Sequence, residues 1–240
     1  MAQCIDSINH CSPEQVKIPY DFYNDYISNK NFLEILNKRK KYIRDKFRFK
    51  EDDNALIKEY FVEIFSWTVI PKKILEEMEG ILCYFDNTLL DIERKDINSS
   101  DFNDIFSSHK IFDPCSGNSF HTFLFKEFYG RDVITVDIQP EKNAWIHTYE
   151  KDGLKFLKGL EDHSNLVLLL SWIDYDDLTY NLTKHFKGNI IISIGNYENI
   201  SLKYLKELHK DFRKIRSWDF KMPWYHCERV KIYVRKNVLI

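Results

Sequence analysis

Apolar and polar positions follow two different rhythms along this chain. Up to about residue 80 the apolar ones recur at helical spacing. Phe32, Leu33, Ile35 and Leu36 continue into Ile43 and Phe47. Leu56, Ile57, Tyr60, Phe61, Ile64 and Phe65 form a second set, and Ile74, Leu75, Met78, Ile81 and Leu82 a third. Repeats of three and four residues place side chains on one stripe of a helix, so each set predicts a helix. Ser12-Pro13-Glu14 is a helix-start signal, and Pro71 separates the last two sets. From residue 110 strand and helix patterns alternate. Lys110–Asp113, Val133–Asp137, residues 165–170 and residues 189–194 read as strands, the last two as continuous apolar runs buried on both faces of a sheet. Phe120, Phe123, Leu124 and Phe128 mark a helix, as do Leu154, Leu157 and Leu160. Further helices are predicted around Glu141–Ile146, over 176–186 and over 202–212. Ile215–Phe220 and Val230–Val234 have no helix-length segment between them, which predicts an antiparallel hairpin at the edge of the sheet.

The fold class is therefore α/β: a mostly parallel sheet with a C-terminal antiparallel hairpin, preceded by a helical N-terminal extension. Residues 1–85 are assigned to the extension, 86–109 to an acidic linker or surface loop, and 110–240 to the sheet domain. The linker is inferred from residues 86–104, with six acids against two bases and little apolar content. Hydrophobic content of 44% excludes a disordered chain, and a net charge of −2 gives no global attraction to nucleic acid or membrane. The seven glycines all fall between Gly80 and Gly195, concentrating special backbone conformations in the centre. The five cysteines contain no CxxC pair, so neither a zinc site nor a disulfide framework is expected, and no metal is assigned. The N-terminal residues lack a signal-peptide pattern, and no apolar run reaches membrane-spanning length. A reduced, cytoplasmic protein is the expectation.

Chemistry concentrates in Lys110–Asp137. A short apolar strand ends in Asp113, the turn Pro114-Cys115-Ser116-Gly117-Asn118-Ser119 leads into a helix, and a second strand ends in Asp137. The spacing of the two acids is close to that of a nucleoside-binding βαβ unit. An ordinary strand-to-helix turn and a solvated acid are the bland alternatives. With the element order, these residues resemble class I S-adenosylmethionine-dependent methyltransferases, over about residues 110–236. Asp113 to Ser119 is similar to the D-P-x-x-G-x-G form of the cofactor loop, with Ser119 in place of the last glycine. The resemblance implies a Rossmann-like fold and S-adenosyl-L-methionine as cofactor. It assigns Asp113, Pro114, Cys115 and Gly117 to the cofactor loop, and Asp137 to the ribose hydroxyls, where a carboxylate suits a vicinal diol. Asp152, before Gly153, matches an acid that takes the adenine amino group; it equally suits the N-cap of the following helix.

After the fourth strand the family carries D/N/S-P-P-Y/F for amino-group transfer. This chain has Ser171-Trp172-Ile173-Asp174-Tyr175, with neither proline, and on this alignment Trp172 offers only an N–H donor. Ser171 and Trp172 are expected against the cofactor, and Asp174 and Tyr175 as the catalytic pair that orients an acceptor. A second resemblance, to poorly characterised methyltransferase-like proteins, rests on Ser66-Trp67 ahead of Pro71, on Trp172 to Tyr175, and on Ile194-Gly195-Asn196. The reading is methyl transfer to an unidentified acceptor, with nucleic acid as one class. The alternative is a methyltransferase-derived binding or scaffold module without turnover. Lys38–Lys50, with eight bases against one acid and interleaved aromatics, reads either as an RNA or DNA footprint or as a helix with solvated bases.

Overall fold

The computed structural model describes residues 24–47, 60–96, 108–173, 176–195, 202–222 and 225–238. Its elements are α1 (Lys30–Phe47), α2 (Lys72–Asp96), β1 (Lys110–Asp113), α3 (Phe120–Tyr129), β2 (Val133–Asp137), β3 (Tyr149–Glu150) and α4 (Gly153–Gly159). They continue with β4 (Leu166–Ser171), α5 (Asp176–His185), β5 (Ile190–Gly195), α6 (Leu202–Asp211), β6 (Phe212–Met222) and β7 (Tyr225–Arg235). A short helical stretch at 60–64 precedes α2.

The strands form one seven-stranded sheet in the order β3-β2-β1-β4-β5-β7-β6. Pairing is parallel from β3 through β5, while β7 runs antiparallel to both β5 and β6. This is a Rossmann-like sheet with a C-terminal antiparallel hairpin. Side chains of successive strand residues point to opposite faces, and both faces are buried. Ile111, Val167, Leu169, Ile190, Ile192 and Val230 pack on one face beneath Phe32, Leu36, Leu75, Met78, Phe123 and Leu124. Phe112, Leu168, Leu170, Ile191 and Tyr233 pack on the other with Leu157, Leu182, Tyr204 and Leu208. The N-terminal helices thus share a core with the first face.

Two local expectations change. Residues 86–96, expected as linker, continue α2. Glu79, Cys83 and Asp86 recur at helical spacing along it, and Phe85 is buried. Arg131 binds Glu79 and Asp86, each at 2.6 Å, and Asp86 also holds the His109 ring at 2.6 Å. The acid of the supposed linker is therefore a half-buried helix-to-sheet anchor. Residues 141–146, expected as helix, form turns instead. Trp145 is buried there among Phe32, Phe65, Phe120 and Phe123, and its amide donates to the Asn118 carbonyl at 2.8 Å. That tertiary anchoring overrides the local pattern, and the extended Tyr149–Glu150 that follows pairs with β2.

Candidate functional site

The carboxyl ends of β1 and β4 open into a cleft of about 340 Å³. Asp113, Cys115, Ser116, Gly117 and Asn118 line one side, Ser171 and Trp172 the floor, and Glu63, Ser66 and Trp67 the opposite wall. The β1–α3 turn has left-handed backbone at both positions where the resembling loop has glycine: Gly117 with φ of 50° and Ser119 with φ of 62°. For a residue with a side chain this conformation costs roughly 1–2 kcal/mol. Ser119 is held there by its hydroxyl, 2.6 Å from Thr148 Oγ1, and by its amide, which donates to the Ser116 carbonyl at 2.6 Å. Gly153, at the start of α4, is required for a different reason: a Cβ there would lie 2.1 Å from the Pro114 carbonyl oxygen. The Asp-Gly step thus lets α4 abut the turn.

Asp113 is buried and has one engaged oxygen. Thr122 donates to Oδ2 at 2.6 Å, whereas Oδ1 has no hydrogen-bond partner. Burial pushes its pKa up to about 7; the bonds from Thr122 and the Cys115 amide oppose that shift. An uncompensated buried carboxyl is costly, and a cationic ligand would relieve it. Asp137 ends β2 as expected and ties the turn down. Its Oδ2 accepts from the Gly117 amide at 2.9 Å and its Oδ1 from the Gln139 amide at 2.8 Å. Burial, with the nearby Asp113, Asp137 and Asp152 carboxylates, pushes the Cys115 thiol up to about 12, so it stays neutral.

The wall from residue 63 to 68 is clamped by side chains that take four of its carbonyls. Arg39 Nη2 donates to Glu63 O at 2.5 Å, and Arg39 Nε and Trp145 Nε1 both donate to Ile64 O, at 2.9 and 2.7 Å. Asn118 Nδ2 donates to Phe65 O at 2.8 Å, and His121 Nε2 to Thr68 O at 2.9 Å. Asn118 belongs to the cofactor-type turn and His121 to α3, so the extension and the turn form one site.

His121 is buried, and burial lowers its pKa to about 4, so the ring is neutral at physiological pH. Because a carbonyl can only accept, Nε2 carries the proton and Nδ1 accepts from the Ser171 hydroxyl at 2.8 Å. That leaves the oxygen lone pairs of Ser171 for a ligand. Trp172, with left-handed φ of 50°, donates its indole N–H to Thr68 Oγ1 at 2.6 Å. Thr68 in turn donates to the buried Glu228 Oε2 at 2.6 Å. The Trp172 ring lies 5.9 Å from that of Trp67, tilted by 38°.

Of the residues expected from sequence, Asp113, Cys115, Gly117, Ser171 and Trp172 line the cleft, while Pro114, Asp137 and Asp152 are not part of its lining. Asp152 caps α4, accepting from the Lys155 amide at 2.9 Å. Asp174 and Tyr175 lie outside the described residues. Sequence reasoning missed Thr68, His121, Glu228 and the wall role of Trp67. Ser66-Trp67 was the one available signal, since a tryptophan in a loop between helices has no helical face to occupy. The basic segment is more compensated than its composition suggests. Arg39 is buried against Glu141 at 3.1 Å, Lys38 pairs with Glu34 at 2.6 Å, and Lys46 faces Glu63 at 4.0 Å. Residues 48–50 lie outside the described part. Among the described residues no group of three or more His, Cys, Asp or Glu could hold a metal, and no helix is long and apolar enough to cross a membrane.

No family model and no curated protein matches the chain. Solved structures do. The bifunctional kinase-methyltransferase WbdD is 15% identical with a TM-score of 0.40, covering 55% of this chain and 36% of that one. TrmN from Thermus thermophilus is 12% identical with a TM-score of 0.40, covering 54% and 44%. Magnesium protoporphyrin IX methyltransferase from Synechocystis PCC 6803, solved with bound SAM, is 14% identical with a TM-score of 0.42, covering 78% and 99%. Two of these three structures are described as methyltransferases. The likeness is one of fold, and the chain spans less than half the length of WbdD and TrmN.

Proposed function

We propose that the chain binds S-adenosyl-L-methionine along the Asp113–Ser119 turn and transfers its methyl group to an acceptor at the Trp67–Trp172 end of the cleft. The observation that carries this reading is the buried Asp113 carboxyl, which belongs to the cleft lining and has Oδ1 unpartnered. It suits a ligand that brings positive charge. The cofactor, when bound, supplies an electrophilic methyl on a cationic sulfur and carries an ammonium group. Asp113 would meet that charge, and the Ser116–Ser119 backbone would admit the ligand closely. Asp137 would receive the ribose hydroxyls, since each carboxylate oxygen has a lone pair beyond the one given to Gly117 or Gln139. Ile138, 70% exposed beside Asp137, offers an apolar surface for an adenine ring. Asp152, at the tip of α4, would take the adenine amino group.

In methyl transfer the protein works mainly by holding two reactants in line, so the catalytic set can vary. Ser171 can accept a hydrogen bond from the acceptor, and Asp174 and Tyr175 come three and four positions later in the chain. Binding without turnover is the second reading, favoured by the left-handed tryptophan where the resembling motif has its first residue and by the missing prolines. Calorimetric titration with S-adenosylhomocysteine tests the first step: saturable binding that is lost in Asp137→Ala is expected, and no heat at millimolar ligand overturns the proposal. Incubation with methyl-tritiated cofactor and pools of nucleic acid, protein and small molecules then separates the two readings. Label in any pool supports turnover; label in none leaves a binding module.

A further inference from the structure

The acceptor end of the cleft is built differently from the cofactor end, and the difference specifies a ligand shape. Two indoles, Trp67 and Trp172, line it together with the Phe120 ring. Trp67 is 37% exposed although its backbone neighbours are clamped by Asn118 and His121. Trp172 is fixed at both ends. Its amide donates to the Ile194 carbonyl at 3.0 Å, and its indole N–H is held by Thr68, itself held by Glu228. A large apolar ring kept rigid at the edge of a cleft presents a flat face at small entropic cost. Next to it stands the Ser171 oxygen, whose proton is committed to His121 and whose lone pairs are therefore directed elsewhere. Arg39, which holds the wall, is paired with Glu141, and Lys46, which lines the cleft, faces Glu63 at 4.0 Å, which argues against a ligand recognised chiefly by phosphate.

We infer that this end of the cleft takes a planar nitrogen heterocycle bearing an N–H or O–H donor, stacked on the Trp67–Trp172 wall with the donor on Ser171 Oγ. Thr68 and Glu228 are positioning residues that hold the Trp172 face. The inference rests on the proposed cofactor reading for its place in the reaction, but not for its binding test. Such a ring comes either free, as a nucleoside, or carried in a single strand of nucleic acid.

The full-length chain, saturated with S-adenosylhomocysteine so that the cofactor end is filled, is titrated with the four ribonucleosides and, separately, with mixed-sequence single-stranded RNA. Tryptophan fluorescence excited beyond nucleoside absorption reports stacking. Saturable quenching by at least one probe is expected. Trp67→Ala should weaken that probe about tenfold or more, Trp67→Phe only a few-fold, because stacking on an aromatic face is worth that order of affinity. Ser171→Ala should weaken rings carrying an exocyclic donor more than rings without one. Glu228→Gln, which keeps a hydrogen-bonding partner for Thr68, should bind like the wild type, whereas Glu228→Leu should bind like Trp67→Ala. Quenching by nucleosides identifies a free ring, and quenching by RNA alone identifies a carried one. No quenching by either, or quenching untouched by Trp67→Ala, overturns the inference. Thermal shift with S-adenosylhomocysteine is read on the same samples: if that shift is absent the cofactor proposal fails, and the ring titration in its absence still decides this one.

Discussion

The two edges of the sheet each carry buried charge, and they treat it in opposite ways. At the amino edge Arg131 is surrounded by its complement: Glu79 and Asp86 each at 2.6 Å, with the His109 carbonyl also accepting. Those carboxylates tie α2 to the start of β2, and little is left for a ligand. At the carboxyl edge Asp113 is as deeply buried, yet its nearest help is a hydroxyl and an amide, and one oxygen has nothing. A matched cluster is a structural anchor. On the proposed reading, the unmatched one is where a ligand's counter-charge arrives.

The largest effect that would break this contrast is on stability. Arg131→Met should cost about 3–5 kcal/mol in urea unfolding, because it leaves Glu79 and Asp86 buried without their cation. Asp113→Asn should be neutral or stabilising in the ligand-free protein, since it removes an unmatched charge at nearly constant shape. Similar losses from both would show that the edges are alike.

A smaller effect is the pH dependence of the ligand-free protein. Asp113 and Glu228 both have pKa values raised by burial to about 7, above their unfolded values. Their contribution is fully present below the unfolded carboxylate range, near pH 4, and is lost as pH rises through 7. His121, lowered to about 4, acts in the other sense: its contribution is present above about pH 6.5 and lost as pH falls through 4. Stability should therefore decline between about pH 4 and 7, by at most on the order of 1 kcal/mol per pH unit for each carboxyl, with His121 offsetting one of the two below about pH 6.5. Asp113→Asn combined with Glu228→Gln should flatten that limb. A thermal-melt series across pH that is equally steep in the double variant would contradict the assignment.

Smaller again is the surface. Replacing Lys40, Lys41 and Arg44 by Gln should change stability by less than about 0.5 kcal/mol, as for most surface substitutions. If the basic segment contacts RNA, the same variant should lower the salt slope of binding. With neighbouring bases already paired, little RNA binding is expected beyond low salt. Strong RNA binding at physiological salt that these changes abolish would restore the footprint reading.

How legible all this was in the sequence also differs between regions. Lys110–Asp113 and Val133–Asp137 are short, largely apolar segments closing on acids, so strand and sheet edge coincide within a few residues and were readable directly. The 63–68 wall was not. It is held by Arg39, Trp145, Asn118 and His121, which lie far apart in the chain, and no local period announces that four side chains will converge on the carbonyls of Glu63, Ile64, Phe65 and Thr68. Asp86 misled for a related reason: an acid in a polar stretch suggests solvent, and only the fold brings Arg131 to it. Glu228 sits in a strand whose alternation reads as ordinary, and its partner Thr68 lies 160 positions away.

The most direct test of the contrast is proton exchange on ligand binding. S-adenosylhomocysteine is titrated calorimetrically near pH 6.5 in buffers of different ionisation enthalpy, with the wild type and with Asp113→Asn. If the ligand's cation is met by Asp113, binding should release a substantial fraction of a proton, and affinity should rise with pH up to about 7. Asp113→Asn should bind more weakly, with neither proton release nor that rise. Equal affinity in the two proteins, without proton exchange in either, would contradict the assignment of the carboxyl edge as the place a cation occupies.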